Sequence, residues 1–181
     1  MRVLVFAFIS MLAAGVVAVR SLWGQERKPT VFYENAGKSL PVLEALAQEH
    51  VTFLRVQDWC RAYADNREWR AAPVSGTCTS PGPGSGTDGE GYKLFDDASE
   101  KRFLELKRKL GALPYGVIWI TIEYGPSGVV REAELMIDTV FPPRRDSLIY
   151  DPGYALPEDM PGEVVNHRID TDWYYRWEDW M

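Results

Sequence analysis

Three glutamates are the side chains of this sequence whose types and spacing come closest to a catalytic pair. Glu123 precedes the turn residues 125–128 and Glu132 and Glu134 follow them, so a hairpin would place carboxylates opposite each other. Two carboxyl groups are the minimal machinery for hydrolysing a glycosidic bond. Alternating glutamates are also typical of the solvated face of a strand. The pattern therefore gives a carboxylate-dependent hydrolase of envelope polysaccharide as an alternative function.

Other catalytic and cofactor signatures are missing from the sequence. The histidines, His50 and His167, lie in no local pattern of a hydrolytic triad, so no catalytic residue is assigned. The Gly-rich residues 73–91 match GxGxxG at 84–89 (GSGTDG), but the match lies in a predicted loop without the strand-to-helix context that phosphate binding needs, and no GK[ST] motif is present. No set of four zinc ligands is spaced as zinc sites require. We expect no cofactor and no metal, and the balance leans away from an enzyme.

The two cysteines indicate an oxidising compartment. Cys60 and Cys78 are the only ones in the chain, and an even count in an exported protein predicts a disulfide bond. Closing a loop of this length stabilises a fold by about 3 kcal/mol in the chain-entropy model. We therefore predict a structural Cys60–Cys78 disulfide.

The C-terminal residues 173–180 (WYYRWEDW) form the most unusual segment of the chain. Tryptophan and tyrosine dominate the energetics of protein interfaces, so the segment is a candidate binding surface. The tryptophans also recur at i, i+4 and i+7, which predicts one face of a last short helix that packs on the domain. Both interpretations stay open. The candidate binding residues are Trp173, Tyr174, Trp177 and Trp180.

The N-terminal residues differ in character from the rest. Residues 3–19 form an apolar run between Arg2 and Arg20, a pattern typical of export signals. A helix of that length spans about 26 Å, near the lower limit for crossing a bilayer. We assign residues 1–28 to a signal peptide or a membrane anchor with its linker. Residues 29–181 are then a single extracytoplasmic domain, periplasmic or secreted.

Charge and composition restrict the possible partners. The 181 residues carry a net charge of −6, and residues 29–181 alone carry −9. Residues 146–181 account for −7 of that imbalance. Nucleic-acid binding depends on a basic surface, so this chain is a poor candidate for it. The expected partner is a protein, and the membrane is contacted only through residues 3–19 if they are retained.

The clearest periodic patterns lie in the middle of the chain. Residues 97–110 predict a helix with an apolar stripe, capped by Asp97 with Glu100 completing a capping box. Residues 117–138 predict a hairpin. These two elements define the expected centre of the fold.

Weaker patterns surround that centre. We predict a strand at 31–33, a helix from the cap Ser39 to about His50, and a strand at 51–56 followed by a short helix to Asp65, with one continuous helix to Asp65 as the alternative. Residues 73–91 predict a flexible Gly/Pro/Ser loop, and residues 141–181 a mostly irregular, acidic, aromatic arm with an edge strand at 164–169.

These elements predict an α+β fold in which helices pack on one face of a small antiparallel sheet, with hairpin 117–138 at its centre. The function expected from the sequence is that of an exported or membrane-anchored, non-enzymatic domain that binds a protein partner in the cell envelope. The hydrolase above and a purely structural envelope protein are the alternatives.

Overall fold

The computed structural model describes residues 30–58, 60–65, 69–72, 92–137 and 144–179. All of these except Thr30 belong to one compact unit. Its elements, in chain order, are α1 (Thr30–Asn35), a 3-10 turn (Ala36–Ser39), α2 (Leu40–Ala47), β1 (Val51–Gln57), β2 (Cys60–Asp65), β3 (Trp69–Ala71), β4 (Tyr92–Leu94), α3 (Asp97–Leu110), β5 (Val117–Tyr124), β6 (Val130–Ile137), β7 (Arg144–Tyr150), β8 (Val164–Arg168) and β9 (Trp173–Asp179).

One sheet dominates the fold. Its nine strands lie in the order β4-β3-β2-β1-β5-β6-β7-β9-β8. Strands β3 and β4 are parallel, and every other neighbouring pair is antiparallel. The expected fold class, a small antiparallel sheet covered by helices, is therefore wrong. The sheet is large and mixed because segments expected to be helical or irregular pair as strands at both sides of the hairpin.

The predicted hairpin is present as β5 and β6. Ile120 lies opposite Leu135, and Ile122 lies opposite Ala133. All four are buried, which is what the period-two alternation of a strand with one buried face requires. Gly128 in the connecting turn has φ of 78°, a left-handed conformation that glycine adopts without a steric penalty.

Helix α3 has the predicted bounds but a different cap. The side chain of Asp96 accepts a hydrogen bond from the Ser99 backbone N–H at 2.7 Å. The Ser99 hydroxyl accepts one from the Asp96 backbone N–H, also at 2.7 Å. The expected cap, Asp97 with Glu100, is wrong because the shorter Ser99 side chain at the third helical position closes the box.

The segments around α1 and α2 depart from expectation in part. Residues 31–33 were expected to form a strand but lie in α1, where Phe32 is buried; Ala36, the first residue of the 3-10 turn, is buried four residues later. Helix α2 follows Ser39 as predicted, but it ends at Ala47. His50 has φ of 59°, a left-handed conformation that turns the chain into β1.

The main core lies between the helices and one face of the sheet, called here the inner face. The buried side chains that share this core are Leu43, Leu46, Leu54, Phe103, Leu106, Leu110, Ile120, Leu135, Leu148 and Tyr175, among others. These side chains come from helices α2 and α3 and from strands β1, β5, β6, β7 and β9.

The C-terminal residues build the sheet, so the expected irregular arm and its last helix are wrong. Strand β9 pairs along its length with β7, with Leu148 opposite Tyr175. Trp173 and Tyr175 face the core from alternate positions, a spacing that suits a strand. The expected edge strand at 164–169 corresponds to β8.

The free side of β8 is covered by the chain that precedes it. Met160 and Val164 exchange two backbone hydrogen bonds of 2.9 Å. The Asn166 backbone N–H donates to Asp159 Oδ1 at 2.8 Å. Residues 159–160 thus occupy part of the outer edge of the sheet.

Several predicted features lie outside the described residues: the leader 1–28 with its apolar run 3–19, the loop 73–91, Cys78 and Trp180. Cys60 lies on β2, is 1% exposed and is not a free thiol. The Cys60–Cys78 pairing stays a prediction because its second member is not described. Within the described ranges no helix has both the length and the apolar character needed to cross a membrane.

Candidate functional site

The face of the sheet turned away from the main core, called here the outer face, carries polar side chains. Residues directly opposite each other in an antiparallel pair project to the same face, so the strand registers assign its members. From β5 to β9 these are Trp119, Thr121, Glu123, Glu132, Glu134, Met136, Arg145, Ser147, Ile149, Tyr174, Arg176 and Glu178.

Carboxylates gather at one end of this face. Glu123 lies directly opposite Glu132, and Glu134 follows two residues later on β6. Asp151 comes immediately after β7 and acts electrostatically on Glu132. Cβ atoms of directly opposed residues lie about 5 Å apart. We call Glu123, Glu132, Glu134 and Asp151 the acidic end.

Glu132 shows the effect of this crowding. Burial raises the pKa of its carboxyl group, and the charges of Glu123, Asp151 and Glu134 raise it further. Arg131 opposes that shift, but its guanidinium also pairs with Glu123, and both of those side chains are largely exposed. Burial and the neighbouring carboxylates therefore both favour the protonated form of Glu132.

Tyr174 adjoins the acidic end from β9. Burial raises the pKa of its hydroxyl, Arg176 opposes the shift, and Glu132, Asp151 and Glu134 add to it. Its ring lies 4.8 Å from the ring of Tyr154, and its hydroxyl accepts a hydrogen bond from Arg176 at 3.2 Å. Tyr174 therefore lies within electrostatic range of Glu132, Asp151 and Glu134.

Ser147 anchors one of the carboxylates. Its hydroxyl donates to Glu134 Oε1 at 2.7 Å, and its side chain is buried. A hydrogen bond from a buried hydroxyl fixes the position of a carboxylate oxygen. Glu134 therefore has a fixed donor from β7, whereas Glu132 is surrounded mainly by other acids.

A second group on the outer face is cationic and is called here the arginine–tryptophan cluster: Arg55, Trp119 and Arg145. The guanidinium carbons of Arg55 and Arg145 lie 5.3 Å and 5.2 Å from the centroid of the Trp119 ring. Burial lowers the pKa of Arg55, and the charge of Arg145 lowers it further. The Trp119 indole nitrogen is buried and has no hydrogen-bond partner among the residues that the structure describes.

The two arginines of the cluster also contact polar side chains. Arg55 Nε donates to Gln57 Oε1 at 2.7 Å. Arg145 lies 3.5 Å from Glu178 Oε2, a long contact for an ion pair. The cluster is therefore tied to β1 and β9 but is not closed by a short ion pair to Glu178.

The structure does not gather the predicted aromatic surface on one side. Trp173 is 3% exposed and Trp177 half-buried, and both pack with the main core. Tyr174 is 5% exposed and projects to the opposite face. This burial favours packing as the role of Trp173 and Tyr174, and a partner-binding role for these residues stays a prediction. Trp180 lies outside the described residues.

The histidines do not join the carboxylates. His50 is exposed in the connection after α2. His167 projects to the inner face of β8, where its ring stacks on Tyr175 with centroids 6.1 Å apart. Among the side chains that the structure describes, no group of three or more His, Cys, Asp or Glu is arranged to hold a metal ion. The acidic end can therefore attract cations or exchange protons, but its carboxylates do not form a metal site.

Sequence reasoning missed three members of these groups: Arg55, Arg145 and Asp151. The polar position of Arg55 between the apolar residues of β1 was a signal that the second face of this strand is partly polar. Arg145 and Asp151 join through the register of β7, and no local pattern in the sequence reveals it.

Comparison with known proteins gives no relative: no protein-family model, no curated protein and no solved structure matches the chain.

Proposed function

We propose that this chain is an exported or membrane-anchored, non-enzymatic domain that binds a basic segment of a protein partner in the cell envelope through its acidic end. The observation that supports this is the raised pKa of Glu132, caused by burial and, beyond that, by the charges of Glu123, Asp151 and Glu134. A lysine or arginine of a partner would offset that repulsion and favour the ionised carboxylates. Binding and deprotonation of Glu132 would then be linked.

The overall charge supports the same partner. The chain carries a net charge of −6, so a basic protein is attracted over distance and a second acidic protein is repelled. Electrostatic complementarity of this kind raises association rates and excludes wrong partners more than it raises affinity. A basic envelope enzyme masked by this domain is the kind of partner that fits.

The direct test uses the purified domain and a basic peptide, with binding measured by calorimetry at two salt concentrations. The double variant Glu132→Gln/Glu134→Gln should weaken binding about tenfold or more, since two charges at the contact are removed. The charge-matched control is Glu105→Gln/Glu163→Gln, because both of those glutamates are exposed and lie elsewhere. Equal affinities of the two double variants for the peptide would show that the acidic end is not the binding site.

The same variants should then be used to capture proteins from the envelope fraction. A partner that supports the proposal is retained by the unmodified domain and by the control pair, and lost with Glu132→Gln/Glu134→Gln. A partner retained by all three proteins would place the contact elsewhere on the domain.

A second candidate function is supported by a separate observation. Glu132 has a raised pKa, whereas the opposite Glu123 pairs with Arg131, so two facing carboxyl groups sit in different environments. Acid and base roles in hydrolases are divided in this way, here for an envelope polysaccharide. Replacing Glu123, Glu132 and Glu134 singly by glutamine and assaying cell-wall fragments tests it. Turnover that is absent, or unchanged in all three variants, would eliminate the hydrolase and leave the binding or the purely structural role.

A further inference from the structure

We propose that Arg131 is an internal competitor for the basic partner of the acidic end: its guanidinium occupies Glu123 and is displaced when a lysine or arginine of the partner binds. This inference rests on the function proposed above, because it concerns how the same carboxylates are controlled. Arg131 Nη2 donates a hydrogen bond to Glu123 Oε2, and the two side chains form an ion pair. The chain therefore supplies the kind of cation that the acidic end would receive from a partner.

An irregularity in the pairing of β5 with β6 places Arg131 beside the carboxylates. Glu123 lies opposite Glu132, and the next residue of β5, Tyr124, lies opposite Val130. In this register Arg131 is opposite no residue of β5, so it is the extra residue of a β-bulge. A bulge turns side chains of the bulged strand in directions that a regular strand does not allow.

The burial pattern of β6 shows what the bulge does to these side chains. Val130 and Ala133 both belong to the main core, although a regular strand would place residues three apart on opposite faces. The extra residue lets both apolar side chains reach the core and leaves Arg131 and Glu132 together outside it. Without the bulge, Arg131 and Glu132 would project to opposite faces because they are neighbours in the chain. The bulge therefore gives the acidic end its own cation.

The charge of Arg131 acts on the acidic end as the charge of a partner would. It lowers the pKa of Glu132, whereas burial and the charges of the three other carboxylates raise that pKa. A lysine or arginine of a partner would also favour the ionised form of Glu132. The internal and the external cation therefore compete for the same carboxylates.

The ion pair of Arg131 is open to exchange with an external cation. The side chain of Arg131 is 65% exposed and that of Glu123 is 57% exposed. Ion pairs in such positions are screened by water and salt and hold their side chains only weakly. Glu134, by contrast, accepts a hydrogen bond from the buried hydroxyl of Ser147. Arg131 is therefore a weak competitor, which lowers the affinity for a partner without closing the acidic end.

The test measures the binding of an oligolysine peptide by calorimetry at physiological ionic strength. Arg131→Gln should bind the peptide about threefold more tightly than the unmodified domain, since exposed ion pairs change equilibrium constants by factors of about that size. Arg131→Lys keeps the charge and should bind like the unmodified domain. The control is Arg108→Gln, which removes the charge of an exposed arginine on α3. Its affinity should stay unchanged, because distant exposed charges are screened at this ionic strength.

A second measurement needs no peptide. The side-chain carboxyl group of Glu132 is titrated by NMR in the unmodified domain and in both glutamine variants. Arg131→Gln should raise the pKa of Glu132 further, because it removes the cation that lowers it, and Arg108→Gln should not. The amide spectrum of each variant shows whether it is folded.

Three results would overturn the role of Arg131. They are equal peptide affinities of Arg131→Gln and Arg108→Gln, weaker binding by Arg131→Gln than by the unmodified domain, and a pKa of Glu132 that is the same in both glutamine variants. Absence of peptide binding in all of these proteins counts as the first of these results.

Failure of the proposed function would give a different result. In that case Glu132→Gln/Glu134→Gln would bind the peptide as tightly as its control, Glu105→Gln/Glu163→Gln. If that double variant loses affinity while the two arginine-to-glutamine variants bind equally, the acidic end stays the binding site and Arg131 is not its competitor.

Discussion

The acidic end and the arginine–tryptophan cluster occupy the same face of one sheet, and β5 connects them through Glu123, Thr121 and Trp119. Side chains of like charge lie close together in both regions, but the two regions respond differently to pH. Glu132 can take up a proton, and its raised pKa shows that the fold makes this easier. Arg55 cannot lose its proton in the accessible pH range. Crowded acids therefore make a region that is sensitive to pH, and crowded arginines make a region that an aromatic ring covers.

The largest effect is expected at the Trp119 ring, which both arginines contact. Trp119→Ala should destabilise the domain by about 3 kcal/mol, because the ring packs beside a small outer-face core that contains Phe53. Removing the ring also removes its contacts with the guanidinium groups of Arg55 and Arg145. Trp119→Phe should cost much less. Urea denaturation measures both, and a loss below about 1 kcal/mol for Trp119→Ala would show that the cluster does not depend on its ring.

A smaller effect is expected where a hydroxyl anchors the acidic end. Ser147→Ala removes the hydrogen bond to Glu134 and should destabilise the domain by about 1 kcal/mol. Thr121→Ser, on the same face, is the control, because it keeps a hydroxyl at a neighbouring outer-face position. Equal free energies of unfolding for Ser147→Ala and the unmodified domain would mean that the hydrogen bond from Ser147 to Glu134 does not stabilise the fold.

The pH dependence of Glu132 separates the two regions most directly. Its folded-state pKa is raised, so its contribution to stability is complete below its ordinary pKa and is lost as the pH rises through the raised value. Glu132→Gln should therefore stabilise the domain at neutral pH and have little effect in acid. Thermal denaturation from pH 3 to pH 8 checks this, with Glu105→Gln as the control. A destabilised variant at neutral pH would contradict the crowding of the acidic end.

The smallest effect is expected at Asp96, an exposed carboxylate outside both regions. Hydrogen bonds from the Ser99 backbone and side chain lower the pKa of Asp96 to about 2. Its contribution is present above its ordinary pKa and is lost as the pH falls through about 2, the opposite slope to Glu132. Asp96→Asn should slightly lower the melting temperature at neutral pH, whereas Asp97→Asn should not. A larger loss with Asp97→Asn would restore the cap expected from the sequence.

The parts of the fold that sequence predicts well have long periodic patterns. The apolar stripe of α3 covers four turns, and the alternation of β5 and β6 covers eight residues on each strand. Patterns of that length have few alternative interpretations. The opposition of Glu123 and Glu132 was predictable for the same reason, because a short turn fixes the hairpin register.

Short or ambiguous sequence patterns give wrong predictions where tertiary contacts determine the secondary structure. The β-prone residues 31–33 form a helix in which Phe32 stacks on Tyr175, a contact made by the far end of the chain. Trp173 and Trp177 are four residues apart, a spacing that places them on one face of either a helix or a strand. The burial of Tyr175 between them decides for the strand. Arg145 joins Trp119 only through pairings of β5, β6 and β7 that no local pattern reveals.

The covering of β8 by residues 159–160 has a consequence for how the domain behaves in concentrated solution. A bare edge strand recruits strands from other molecules and seeds fibres. Here the backbone N–H and C=O groups of Val164 are hydrogen-bonded to those of Met160. The backbone N–H of Asn166 donates to the carboxylate of Asp159, which also places a negative charge at this edge. The strand at the other end of the sheet, β4, is only three residues long. The two edges of this large sheet therefore offer only short templates for pairing with a strand of another molecule.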